Sequence, residues 1–237
     1  MNMGKWAALP LAVVLALIPA FAGGPRGQGQ PASVAAAGQV QKVQDCIRAL
    51  DEMMKESDKS IPASLFRDCA GIAIIPDVIK AGFVVGGRFG SGVVLIRTKS
   101  GWSDPAFIDI KGGSVGWQAG VQSADVILVF RTPRSVENIA KGKFTLGADI
   151  GIAAGPLGRT AEASTDAQLK AEILSYSRSR GLYAGLSFQG SSIQDDPKAN
   201  GQFYGGTMNA REIFEGKVAR RPEVARQLIV ELEKYSK

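Results

Sequence analysis

The stretch Ala81–Arg131, AGFVVGGRFGSGVVLIRTKSGWSDPAFIDIKGGSVGWQAGVQSADVILVFR, decides how this chain folds. Its runs alternate apolar residues with small or polar ones, and glycines recur four apart. Side chains alternate faces along a strand, so residues two or four apart share a side. Gly82, Gly86 and Gly90 therefore line one face, and Phe83, Val85 and Phe89 the other. The next run repeats this, with Gly112, Gly116 and Gly120 opposite Val115, Trp117, Ala119 and Val121. Further on, Gly147, Gly151 and Gly155 oppose Leu146, Ala148, Ile150 and Ile152, while Gly181 and Gly185 oppose Leu182, Ala184, Leu186 and Phe188. Glycine weakens a strand, so a repeated one marks bending or close backbone approach. The pattern predicts a strongly curved, barrel-like antiparallel sheet with Gly-rich strands, wrapped around one apolar core.

Helical periods flank the strands. Val40, Val43, Ile47, Leu50 and Met54 recur three or four apart, so a helix from Gln39 covers the sheet. A helical turn runs from Ser60 to Arg67, and a strand from Ala70 to Ile75 ends at Pro76. Gly86 to Gly92 reads as a hairpin loop and Ser114 as a turn residue. Arg134 to Ala140 forms a short helix, followed by a strand from Phe144 to Ala154 that carries Asp149 in an ion pair with an arginine. A hairpin joins Ala171–Tyr176 to Gly181–Phe188, with a helix over Ala167–Tyr176 as the alternative. After Gly190 the period changes: Asp196 and Pro197 start one helix, Thr207 caps another reaching Phe214, and Pro222 starts the last. Helix, many strands, then helices make an α+β fold, the sheet covered by an N-terminal helix and C-terminal helices.

Residues 1–22 read as a signal peptide: Lys5 opens it, Ala7 to Ile18 is apolar, and Ala20-Phe21-Ala22 suits cleavage. An uncleaved anchor is the rival reading. Residues 23–38, rich in Gly, Pro, Gln and Ala, read as a flexible linker, and residues 39–237 as a single domain. The expected location is exported, either periplasmic or secreted, and membrane-associated if the basic loops meet lipid. In an oxidising compartment Cys46 and Cys69 could close a disulfide loop of about 24 residues, worth roughly 3 kcal/mol. Two buried thiols are the equal alternative.

The chain has no histidine, 28 Lys and Arg against 22 Asp and Glu, and a net charge of +6. That removes the commonest general base, the Ser-His and Cys-His dyads and the usual transition-metal ligand. Gly112-Gly113-Ser114-Val115-Gly116 spells GxSxG but leads into a strand, where the hydrolase elbow needs a helix and a histidine partner. Gly86 to Gly92 lacks a phosphate-loop Lys-Ser or Lys-Thr ending and its helix. Asp195, Asp196 and Asn200 lack calcium-loop spacing. No enzyme, metal or cofactor is expected.

IAIIPDVIKAGFVVGGRFGSGVVLIR, GGSVGWQAGVQSADVILVF, FTLGADIGIAAGPLGR and AEILSYSRSRGLYAGLSFQG, in this order, resemble the SYLF domain. The likeness runs from about Ile61 to Tyr204. It implies a lipid-binding module for phosphoinositides or other anionic phospholipids. In yeast actin-patch members, which carry a C-terminal SH3 domain, it also implies actin binding. Loop arginines and lysines suit phosphate oxygens. The headgroup candidates are Lys80, Arg88, Arg131, Arg134, Lys141, Lys143, Arg178 and Arg180. The leading reading is thus a non-enzymatic lipid-binding protein at an anionic membrane surface, with no nucleic-acid partner. The alternative is an envelope scaffold or protein-interaction module that uses the C-terminal helices.

Overall fold

Residues 71–130 build one long β-ribbon. Strands β1 (Gly71–Thr98) and β3 (Ala106–Phe130) pair antiparallel from Gly71 opposite Phe130 to Val94 opposite Ala106. The short β2 (Gly101–Trp102) sits in the turn between them. The computed structural model describes residues 32–55, 60–157, 168, 170–179, 182–183 and 188–236.

This ribbon curls until its two arms meet. A Cβ added at Gly92 would stand 2.1 Å from the Ile74 carbonyl oxygen and 2.7 Å from Ile75 Cα. Gly71 faces the backbone of Leu95 and Ile96 in the same way, while Gly90 packs against the side chains of Val78 and Ile75. Only a residue without a side chain lets two backbones approach so closely. Where the arms end, the Arg97 N–H donates to the Ala70 carbonyl at 2.8 Å. The glycine face is therefore the inside of the curl. Phe89, read as pointing into the core, stands on the outside and is 57% exposed.

The arms near their ends are buried on both sides. Ile72 to Ile75, Val93 to Leu95 and Val126 to Phe130 are all buried, because one face meets the opposite arm and the other meets helices or strands. Strand β3 also pairs with β6 (Ile173–Ser179) and β8 (Ser192–Asp195). In turn β8 takes β4 (Lys143–Thr145), and β6 takes β7 (Leu182–Tyr183). These pairs are antiparallel; β5 (Ile152–Ala154) alone among the described strands runs parallel to its neighbour, β6. The expected α+β class and curled sheet are what the chain adopts.

Helix α1 (Ala32–Met54) starts inside the stretch read as a linker, where an alanine-rich run favours helix. Its buried stripe is Val43, Cys46, Leu50 and Met53, packed on β1. Helices α2 (Ala63–Asp68) and α3 (Pro133–Ala140) follow, and the Thr132 hydroxyl caps α3 by accepting from the Ser135 N–H. Asp196 caps α4 (Pro197–Tyr204) by accepting from the Ala199 N–H at 3.0 Å. Asn209, not Thr207, caps α5 (Ala210–Phe214), in a reciprocal box with Glu212. Helix α6 (Glu223–Tyr235) buries Val224, Leu228 and Leu232 after Pro222.

Several local expectations give way. Pro76 does not end its strand but sits at a bulge between Ile75 and Val78, where Asp77 takes φ 51° and its N–H reaches Asp125 Oδ1 at 3.1 Å. Gly86 to Gly92 lie in mid-strand opposite residues 108–114, so Ser114 pairs with Gly86 and makes no turn. The strand expected over Phe144–Ala154 breaks at Gly147, φ 85°. Asp149 falls in the resulting turn, exposed, and accepts the Thr145 N–H at 2.6 Å where an arginine was expected. Asp195 and Asn200 are occupied structurally: Asn200 accepts the Phe107 N–H at 2.7 Å and donates to Asp195 at 2.9 Å.

Candidate interaction surface

The basic residues separate into three environments. Arg134, Lys141 and Lys143 are exposed on and just after α3. Helical spacing puts Arg134, Asn138 and Lys141 on one face, and Lys141 Nζ donates to Asn138 Oδ1 at 3.5 Å. Among the described residues none of the three cations has a carboxylate partner. Lys80, half-buried on β1, stands opposite Gln122.

A second group is committed to the fold. Arg131 Nη1 donates to the carbonyls of Gln168 and Ala171, both at 3.0 Å. Arg178 pairs with Glu52 and so ties β6 to α1. Arg221 forks onto the buried Asp104, its Nη2 donating to Oδ2 at 2.9 Å and its Nε to Oδ1. Arg180 lies outside the described residues.

Arg88 stands apart. It is only 5% exposed, on the glycine face inside the curl, and its guanidinium lies over the Phe188 ring at 4.8 Å. Nη1 donates to Ser191 Oγ at 2.9 Å, and burial pulls the group below its usual pKa. It cannot act on the outer surface with the α3 cations.

Other apolar side chains also reach solvent, Val121 among those expected to face inward. Ile79 is 46% exposed and Val121 73%. Ile79 and Phe89 line a shallow groove of about 430 Å³ with Lys42, Pro76, Asp109 and Lys111. Strand alternation separates the two faces but not which of them meets the opposite arm, and it is the glycine face that does, which turns Phe89 outward. Nothing in the sequence pointed to Ser191 or Asp104.

Cys46 and Cys69 are separate buried thiols. Cys46 Sγ donates to the Ile74 carbonyl at 3.4 Å, and Cys69 Sγ to the Phe66 carbonyl at 3.3 Å. Burial pushes Cys46 up to about 12 and Cys69 to about 11, so neither is a thiolate at neutral pH. The two thiols are unbridged in the structure, each facing a different carbonyl.

The described residues thus form a curled α+β module with exposed cations on and just after α3 and apolar side chains turned outward. Among the described residues no group of three Cys, Asp or Glu side chains could hold a metal ion, and no helix is long and apolar enough to cross a membrane. A family model described as "Ysc84: Las17-binding protein actin regulator" matches residues 111–235. The chain is 38% identical over 172 residues to LAS seventeen-binding protein 3 of Saccharomyces cerevisiae, covering 71% of this chain and 37% of that protein. It is 39% identical over 181 residues to SH3 domain-containing YSC84-like protein 1 of Bos taurus, covering 76% and 52%. Protein YSC84 of Saccharomyces cerevisiae is 38% identical over 170 residues, covering 70% and 36%. The chain belongs to the Ysc84 (SYLF) domain family. It spans between about a third and a half of these relatives' own length. The family model's description names an actin regulator, and the first of these relatives is named as a binding protein.

Proposed function

We propose that the folded unit is a non-catalytic protein-interaction module of the actin-regulator type. It binds an acidic partner surface through the exposed face formed by Arg134, Lys141 and Lys143. The observation that carries this reading is the absence of any carboxylate partner for these three cations among the described residues, on a chain whose family model is described as an actin regulator. Exposed cations on α3 and the residues that follow it, with no carboxylate partner among the described residues, are available to an opposing surface, and such attraction weakens as salt rises. The test is cosedimentation of residues 31–237 with actin filaments at low and moderate salt. Binding that falls with salt and is lost on joint replacement of the three by Glu supports the proposal. Binding unchanged by that replacement sinks it.

A second reading, an anionic lipid surface, is favoured by Ile79, Phe89 and Val121 standing exposed near Lys80 and Lys111. Apolar side chains among lysines suit a headgroup interface, where each cation contributes about 1 kcal/mol. Vesicles of phosphatidylcholine with phosphatidylserine test it: Phe89→Ser should release the protein from them and spare filament binding. The leader reading of residues 1–22 would instead make the acidic partner one outside the cytoplasm and not actin; N-terminal sequencing of the protein from fractionated cells tests that.

A further inference from the structure

Exposed apolar side chains concentrate along the β1–β3 ribbon. Among the described residues five large apolar side chains are exposed, and three of them, Ile79, Phe89 and Val121, stand here. Ile79 pairs with Ser123 and Ala81 with Val121, so Ile79 and Val121 are diagonal neighbours on one side of the ribbon. Phe89, opposite Lys111, lines the same groove of about 430 Å³ as Ile79. Scattered single apolar residues are ordinary on a surface, but a cluster beside a groove marks a place of contact.

The charges around this groove come in both signs and cancel: Lys42 and Lys111 line it together with Asp77 and Asp109. Lys111 and Asp109 satisfy each other at 2.9 Å. Among the described residues Lys42 and Asp77 have no oppositely charged partner, and the Asp77 carboxylate accepts one hydroxyl, that of Ser123 at 3.4 Å. The bulge holds Asp77 in this exposed place through its N–H bond to Asp125. A partner of one sign meets repulsion from half of the rim: an anionic bilayer faces Asp77 and Asp109, and a basic surface faces Lys42 and Lys111. A second copy of the same surface offers both signs, and a two-fold axis can set each unpaired charge against its opposite. We infer that this face docks onto a second copy of the chain. The two copies pair about a two-fold axis beside Phe89, bury Ile79, Phe89 and Val121, and set Lys42 of each copy against Asp77 of the other. The contact uses none of the α3 cations, which share one sign and repel their own copy. It competes with the lipid reading of the same apolar side chains, and the two carboxylates on the rim favour the copy.

Sedimentation velocity of the full chain and of the compact unit Pro31–Lys237, over roughly 1–100 μM, reads the association. The expected result is a monomer–dimer equilibrium in both. Phe89→Ser should raise the dimer Kd by roughly tenfold or more, and Lys42→Glu and Asp77→Lys should each raise it by roughly tenfold. Mixed in equal amounts, those two charge variants should pair with each other more tightly than either pairs with itself, because the mixed contact again joins opposite signs. Lysine suits the φ of 51° at position 77 less well than aspartate does, so circular dichroism checks that Asp77→Lys is folded. Asp77→Asn, which fits that backbone, should weaken the dimer by a smaller factor. A monomer at every concentration, a dimer seen only with the full chain, a dimer that Phe89→Ser leaves intact, or folded charge variants that fail to recover on mixing overturns the inference. So does a chain that stays monomeric and binds vesicles of phosphatidylcholine with phosphatidylserine through Phe89, which assigns the face to lipid.

Discussion

The two halves of the β1–β3 ribbon follow one sequence rule and live in different surroundings. In the arms, residues 71–76 and 92–95 are buried on both faces, and glycines there meet backbone from the opposite arm. Around the middle, Gly87 and Gly113 pair across the ribbon, and a Cβ at Gly113 would touch nothing within 4 Å. Identical glycines therefore do different things: at Gly92 the missing side chain is a packing requirement, and at Gly113 it is tolerated. Strand alternation cannot separate these cases, because it reports which face a residue is on and not what the face meets.

The sharpest way to break this contrast is Gly92→Ala. The new methyl lands on the Ile74 carbonyl, a backbone atom that cannot swing away, so the cost should be about 3 kcal/mol or more. Urea unfolding measures it; a change near zero would mean that the arms do not touch. Next in size is Arg221→Ala, which leaves the Asp104 carboxylate, 4% exposed, without its partner beside the β2–β3 turn. A loss of about 3 kcal/mol is expected from stranding a buried charge. The same unfolding assay applies, and a neutral result would show Asp104 hydrated in solution.

A smaller effect concerns pH at the bulge. Burial raises the pKa of Asp125, partly opposed by the Asp77 N–H it accepts. A raised carboxyl contributes stability that is present below its unfolded value of about 3.9 and lost as pH rises through the folded value. Asp125→Asn removes this dependence and keeps an acceptor for the Asp77 N–H. Relative to wild type, the variant's Tm should therefore climb as pH goes from about 3.5 to 6. A constant difference across that window would refute burial as the cause. The smallest effect is Gly113→Ala, at most about 0.5 kcal/mol in either direction. A large loss there would mean that the middle of the ribbon is as crowded as its arms.

The glycine-bearing alternation of β1 and β3, the α1 stripe around Val43 and Leu50, the Asp196 cap and the Pro222 start were all legible, because each depends on local geometry. Hidden were the short β8, too brief for a period to register, and the Gly147 turn that places Asp149 on a backbone N–H. The candidate surface was legible only in part. Basic residues could be counted, but Arg131, Arg178 and Arg221 look like Arg134 until their partners are in view, and those partners lie 37 or more positions away in the chain.

Residue order alone determined that this chain would make a curled sheet with helices before and after it, since periodicity and glycine spacing act over a few residues and need no distant contact. Only the tertiary structure decided which side of the curl is inside. That choice arises where one arm of the ribbon meets the other, and it left Phe89 in water and Arg88 buried without a counter-charge among the described residues.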